Sequence, residues 1–282
     1  MTFFFGSDVP GFVPGPVDAT DEARLYAFTE EKLVLGAGDA PRAPTLAEAK
    51  RAGLELGTTW PLGTLDGVPR LATALAEGAT LPDSMRTSTV RRLFGALDPR
   101  ELFIAALGGQ IAHFDRTTRF CGQCGRPTTI SAGQRAKRCD PCERELHPHV
   151  APCVIVLVTD GPRVLLTRGP KFPPGMYGLV AGFVEPGESL EGCVSRELLE
   201  ETGITIGPPR YVASQPWPFP SQLMVGYVAE YASGEVKPDL TELEDARFFG
   251  PDELPMLPPP LSIARTLLDR FMAGTLPKPE RA

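Results

Sequence analysis

Between residues 182 and 204 the chain reads GFVEPGESLEGCVSRELLEETGI, and its glycines and acids confine the segment to a turn followed by a helix of fixed length. Ser189 stands where an N-cap is needed, residues 190–201 carry the helix, and Gly203 occupies the position of a left-handed C-terminal cap. At about 100° per residue, Glu197, Glu200 and Glu201 fall within a sector roughly 100° wide. Like charges so placed cost about 0.2–0.5 kcal/mol per pair in an isolated helix. Facing a cleft, the same three carboxylates supply the hard oxygen ligands that Mg²⁺ or Mn²⁺ requires, and the cation removes the penalty. The plainer alternative is a solvated acidic face with Arg196 as a surface ion pair.

A length of 282 residues predicts about two domains, and 42% apolar residues suffice to build their cores. The net charge of -7 argues against a general polyanion binder, because such proteins neutralise many phosphates with cations. No apolar run approaches the ~18 residues of a membrane-spanning helix. The start, MTFFFGSDVPG, lacks a basic leader with a long apolar core, so a cytoplasmic protein is expected.

Four of the six cysteines form two CxxC pairs, Cys121 with Cys124 and Cys139 with Cys142, separated by fourteen residues. This is zinc-ribbon spacing: each pair offers two thiolates at a tight turn, with Gly122, Gly125 and Pro141 as turn formers. A closed set of four ligands leaves no open position, so the expected Zn²⁺ is structural. Two disulfides or a redox dithiol are the alternatives. Arg119, Arg126, Arg135, Lys137 and Arg138 surround the pairs. They either offset a thiolate-rich centre or bind nucleic acid, and the first is favoured. Cys153 and Cys193 read as small buried apolar residues, and His113 and His149 as ordinary polar ones.

Three regions follow: 1–118, a strand-rich N-terminal domain with apolar runs such as 32–35; 119–147, the ribbon; and 148–282. Near the end of the first, Asp98 as N-cap, Pro99 and Glu101 start a helix in which Phe103, Leu107, Ile111 and Phe114 recur at helical spacing. Its Gly108–Gly109 pair predicts close packing on another element. Beyond the ribbon, strands are expected at 153–158, 164–167, 179–183 and 223–231, with an amphipathic helix at 263–272. The expected layering is a mixed sheet with the acidic helix on one face and the terminal helix on the other. Residues 214–224, SQPWPFPSQLM, read as a stiff loop from which Trp217 and Phe219 project to hold a flat ring, or else as core packing.

Gly182, Glu188 and the run 196–204 together resemble the Nudix box with no position missing. The 214–224 segment, the four-cysteine ribbon and LPPP-x-x-x-AR at 257–265 resemble the NADH pyrophosphatase branch of that family, over the chain from about Leu102 onward. The resemblance implies an α/β/α Nudix sandwich and a metal-dependent hydrolase. Such an enzyme cleaves the pyrophosphate of NADH or NAD⁺ to nicotinamide mononucleotide and AMP. Removal of an NAD cap from the 5′ end of RNA is the alternative, and a catalytically silent nucleic-acid binder the less favoured one. It implies that Glu197, Glu200, Glu201 and Glu242 hold catalytic Mg²⁺ or Mn²⁺, helped by the backbone at Gly182, with Arg196 pairing an acid such as Glu188. It assigns Phe183, Gln215, Trp217, Gln222, Met224 and Ala264 to the dinucleotide, and His147 to ring stacking across a homodimer. Two departures stand out. The hydroxyl that commonly follows PFP-x is displaced, leaving Ser221 and then Gln222, and His147 replaces the usual tyrosine before Pro148.

Overall fold

The computed structural model describes residues 9–260 and 262–277. The first eight residues, read above for a leader, and Leu261 in the 257–265 stretch lie outside the described residues. The chain divides into two compact units, one of residues 9–150 with Pro218–Ser221, the other of Ala151–Trp217 with 222–277.

In the first unit, β1 (Phe12–Pro14), β2 (Arg24–Thr29), β3 (Lys32–Leu35), β4 (Thr59–Leu65), β5 (Val68–Ala74) and β6 (Arg86–Thr89) form one sheet in the order β1-β4-β5-β2-β3-β6. The short helix α1 (Leu46–Arg51) is closed by a capping box between Thr45 and Glu48. The long helix α2 (Pro99–Thr117) starts on Asp98, whose side chain accepts from Arg100 N at 2.7 Å. It buries Ile104, Ile111 and Phe114 against Tyr26, Phe28 and Trp60 of the sheet. Gly108 permits this: a Cβ there would lie 3.2 Å from Tyr26 Cβ. The tip 218–221 groups with this unit. Phe219 packs on its core under the Arg91 guanidinium, 4.4 Å from the ring centroid. Of the two readings of Phe219, ring-holding and core packing, the partly buried packing on this unit favours the second.

Three short strands, β7 (Thr129–Ile130), β8 (Lys137–Cys139) and β9 (Arg144–Leu146), make the ribbon sheet. Lys137 anchors it, its Nζ bonding Asp115 Oδ1 and the Asp115 carbonyl of α2, each at 2.7 Å.

The second unit holds β10 (Ala151–Asp160), β11 (Arg163–Arg168), β12 (Val180–Phe183), helix α3 (Leu190–Thr202), β13 (Thr205–Ile206), β14 (Arg210–Trp217), β15 (Gln222–Ser233), β16 (Asp245–Phe249) and helix α4 (Ile263–Met272). Central β10 runs parallel to β15 on one edge and antiparallel to β12 and β11 on the other, so the sheet is mixed. Val154, Val156, Val225 and Tyr227 face α3, packing on Cys193, Val194 and Leu198. The opposite face receives α4. A Cβ on Gly226 would come within 2.9 Å of Ile263 Cδ1, so glycine there lets the helix settle on the strand. The α/β/α layering expected from the sequence is the layering found.

One expectation fails locally. Residues 214–224 are not a loop but two paired strands joined by a turn: Gln215 pairs with Met224, Pro216 with Leu223 and Trp217 with Gln222. Pro216 is tolerated because β14 pairs on one side only, where a missing N–H costs no ladder bond. The turn contains a cis Phe219–Pro220 bond.

Candidate functional site

Two clusters of side chains stand out, one of sulfurs and one of carboxylates. In the first unit, the ligand sulfurs of Cys121, Cys124, Cys139 and Cys142 all lie within 4.8 Å of one another, and all four are free thiols. A Zn–S bond of about 2.3 Å separates tetrahedral sulfurs by roughly 3.8 Å, so the set fits zinc. Local backbone builds it. Gly125 takes a left-handed φ of 71° and donates to the Cys121 carbonyl at 2.8 Å, and Glu143 at φ 50° reverses the chain after Cys142. The backbone N–H groups of Gln123 and Cys124 pull the Cys121 thiol down, whereas burial raises Cys139 and the hydrogen bond with Cys124 raises Cys142, as expected of sulfurs crowded together. The surrounding cations are largely engaged within the protein. Arg135 donates to the Leu62 carbonyl at 2.6 Å, Lys137 is buried on Asp115, and Arg138 pairs Asp140 at 2.8 Å. Arg119 lies 5.8 Å from the Phe120 ring. This arrangement weighs against a nucleic-acid role for the basic cluster as a whole.

In the second unit, α3 presents the acids. Ser189 Oγ caps its start by accepting from Gly192 N at 3.0 Å, and Gly203 closes it at φ 73°. The acidic face is graded in exposure: Glu201 is 8% exposed, whereas the Glu200 side chain is 59% exposed. Arg196 gathers the rest. Its guanidinium bonds Glu188 at 2.8 Å, Glu197 Oε1 at 2.9 Å, Glu200 Oε2 at 3.0 Å and the Phe183 carbonyl at 2.9 Å. Arg196 holds the Glu188 carboxyl down to about 2, and Glu185 N adds a backbone bond.

Glu201 behaves oppositely. Burial, followed by the charges of Glu197, Glu242, Asp239 and Glu200, pushes its carboxyl up to about 7. Glu197 is raised as well, chiefly by burial. Glu242 reaches this cluster because Lys237 N and Asp239 N bond the carbonyls of Thr202 and Glu201 at 2.8 and 2.9 Å, fastening the loop to the end of α3. Asp239 was missed from the sequence; its signal is the turn it nucleates, with Oδ1 accepting from Thr241 N at 2.9 Å. Gly182 leaves the space that the Glu197 carboxylate occupies: a Cβ there would lie 1.8 Å from Glu197 Cδ and would displace it. A buried, mutually repelling set of acids beside a cradle that a Cβ would fill suits a hard divalent cation. Among the described residues the carboxylates do not converge as the sulfurs do, since Glu197 and Glu200 lean on Arg196.

Beside the acids runs a row of side chains across four strands. Phe183 pairs with Cys153, Cys153 with Met224, and Met224 with Gln215, so these four share one face of the sheet. Trp217 and Gln222 continue it two residues on. Phe183 is half exposed, whereas Met224, Gln215 and Cys153 are buried. Gln215 Oε1 accepts from Ile263 N, the first residue of α4, at 2.7 Å, and Ala264 is buried next to it. Five of the residues assigned to the dinucleotide from sequence thus meet on this face, with Ala264 at its edge. His147 lies in the first unit, exposed, with Nε2 3.9 Å from Glu145 Oε2. No described helix is long and apolar enough to cross a membrane.

Residues 147–271 match the model of the NUDIX domain, and residues 116–146 that of the NADH pyrophosphatase zinc ribbon domain. A protein of Stutzerimonas stutzeri strain A1501, named NAD-capped RNA hydrolase NudC, is 45% identical over 231 residues, covering 82% of this chain and 83% of its own length. One of Deinococcus radiodurans with the same name is 38% identical over 262 residues, 91% of this chain and 90% of its own.

Proposed function

The chain belongs to the Nudix hydrolase family, in the branch of the NudC proteins, and from that membership we propose that it hydrolyses the pyrophosphate joining nicotinamide mononucleotide to AMP. Its substrates are the NAD cap of RNA and free NADH or NAD⁺, which present the same bond. The names of the relatives favour the capped RNA, and the largely engaged ribbon cations leave the cap itself as the main recognition element.

One observation carries the reading. Gly182 and Phe183 are consecutive in β12, so their side-chain directions are opposite. The first abuts Glu197, and the second joins the row of Cys153, Met224 and Gln215. A phosphate-directed acid cluster and a ring-directed apolar row therefore start from consecutive residues of one strand, and Cys153 of the row feels the charges of Glu197 and Glu201.

Glu197, Glu200, Glu201 and Glu242 are the residues that would hold Mg²⁺ or Mn²⁺. When bound, the cation neutralises phosphate charge and promotes attack by water. Gly182 keeps the space that Glu197 needs, and Arg196 braces Glu188, Glu197 and Glu200 so that the acids enter the cleft from fixed positions. Phe183 and Trp217 would offer faces for a flat ring, with Gln222 and Met224 beside them in the row and Ala264 supplying a backbone contact. His147 completes the pocket of a neighbouring copy in a homodimer, and its exposure leaves it free for that role. Functionally the chain divides at 1–118, 119–147 and 148–282, and its place is the cytoplasm.

A panel of kcat/KM values over NAD-capped RNA, NADH, NAD⁺, FAD, ADP-ribose and diadenosine polyphosphates tests the proposal. Capped RNA and NAD(H) are expected to lead by at least about tenfold, with nicotinamide mononucleotide among the products. An ADP-ribose or diadenosine preference would overturn it.

A further inference from the structure

Gln215 has a buried side chain in β14, directly opposite Met224 in the row that the preceding reading gives to the dinucleotide. A carboxamide there would ordinarily be taken for a ligand to substrate. Its oxygen is already committed: Oε1 accepts from the backbone N–H of Ile263 at 2.7 Å, and both groups are buried. Ile263 is the first residue of α4, and the first four N–H groups of a helix have no partner within it. Ser262 Oγ satisfies Arg265 N at 3.3 Å and the Ser262 carbonyl satisfies Thr266 N at 3.1 Å, so neither serves Ile263. The donor at Ile263 is met from another element, by a strand side chain.

The same turn of helix is located a second time, by shape. Gly226 lies on β15 two residues beyond Met224, on the same face, and a Cβ there would stand 2.9 Å from Ile263 Cδ1 and 3.2 Å from the Ala213 carbonyl. A polar tie at Gln215 and a missing side chain at Gly226 thus fix one residue, Ile263, in direction and depth. Ala264 follows it immediately.

We propose that Gln215 is a positioning residue: through Oε1 it seats the first turn of α4 on the sheet and so fixes the backbone of Ala264 at the edge of the ring-binding row. This rests on the reading of that row as the dinucleotide pocket, but the tie to α4 can be measured without any substrate.

The experiment compares Gln215→Met, of similar length without the acceptor, Gln215→Glu, which restores an oxygen at the same reach, and Gly226→Ala, which disturbs the seat with no polar change. Amide hydrogen exchange over residues 263–266 of the full chain is followed first. Gln215→Met and Gly226→Ala are expected to speed exchange there about fivefold, the scale of one net hydrogen bond, with α3 unaffected, and Gln215→Glu to recover most of the protection. Kinetics with NADH follow. Gln215→Met and Gly226→Ala should raise KM by about three- to tenfold with kcat within about twofold, Gln215→Glu rescuing KM. Exchange unchanged in Gln215→Met overturns the proposal. So does a KM loss in Gln215→Glu equal to that in Gln215→Met with protection intact, which would make Gln215 a direct ligand. Accelerated exchange without any NADH turnover in the parent would instead leave the seat standing and remove the substrate reading. If Gln215→Met fails to fold, Gly226→Ala and Gln215→Glu carry the same comparison.

Discussion

The sulfur cluster and the acidic cluster of this chain differ in how they are held. The four cysteines come from two short turns whose own backbone hydrogen bonds bring every sulfur within 4.8 Å of the others. The acids come from one helix and a distant loop, and Arg196, not a common centre, engages Glu197 and Glu200. A closed soft set needs only local geometry, because four thiolates saturate zinc and exclude further ligands. The acids repel one another and are braced from the side by the Arg196 guanidinium, an arrangement that suits the open hard site proposed above. Stability is invested in the first cluster and withheld from the second, where burial drives Glu201 up to about 7.

The sharpest break of this contrast is Glu201→Gln. The carboxamide keeps the shape and removes a charge, so kcat is expected to fall by roughly 10² to 10⁴ while the melting temperature holds or rises, since a strained buried acid is lost. Full turnover in a variant that melts like the parent would take Glu201 out of the site. Gly182→Ala comes next: with a Cβ 1.8 Å from Glu197 Cδ, the acid must move, and a displacement near 1 Å costs about 10² in kcat/KM. The outcome against the cradle is activity within a few-fold of the parent.

The sulfur cluster should respond in the opposite sense. One Zn²⁺ per chain is expected to survive removal of the catalytic cation, and Cys121→Ser should lower the melting temperature by about 5–15 °C while the folded fraction keeps its turnover. Elemental analysis showing no zinc in protein prepared without chelator would erase the contrast.

pH separates the clusters again. The folded value of Glu201 lies above its unfolded one, near 4.5, so the folded protein binds the extra proton between these limits. In the absence of divalent cation, stability should therefore fall by about 1–3 kcal/mol as pH rises from about 4.5 to 7 and level off above. Mn²⁺ should reverse this and release protons on binding near pH 7. Calorimetry in buffers of different ionisation enthalpy reads that release, and a Glu201→Gln variant with the same release would assign the proton elsewhere. The smallest effect is at His147. If it stacks on the ring of a neighbouring copy, His147→Tyr should lower KM for NADH by a few-fold at constant kcat, by about 1 kcal/mol at most. An unchanged KM would place His147 outside the pocket.

Local chemistry made much of this molecule legible in advance. Ser189, Gly203 and the acid spacing define α3 to within a residue, the CxxC pairs define the ribbon, and Asp98-Pro99 starts α2, because caps, tight turns and helical faces are settled by neighbours within a few positions. The apolar periodicity of 263–272 gave α4 with its observed bounds. The strand-rich first unit was legible only as a class. Its order β1-β4-β5-β2-β3-β6 depends on pairings between segments far apart, which carry no local mark. The proline-rich 214–217 stretch looked like a loop, since nothing nearby reveals an edge strand that tolerates Pro216. Only the tertiary structure decided that Phe219 packs against the core of the first unit, that Asp239 stands beside the acids, and that Gln215 meets Ile263. Those three are long-range contacts, chosen by what each buried group finds opposite it when sheet and helices close.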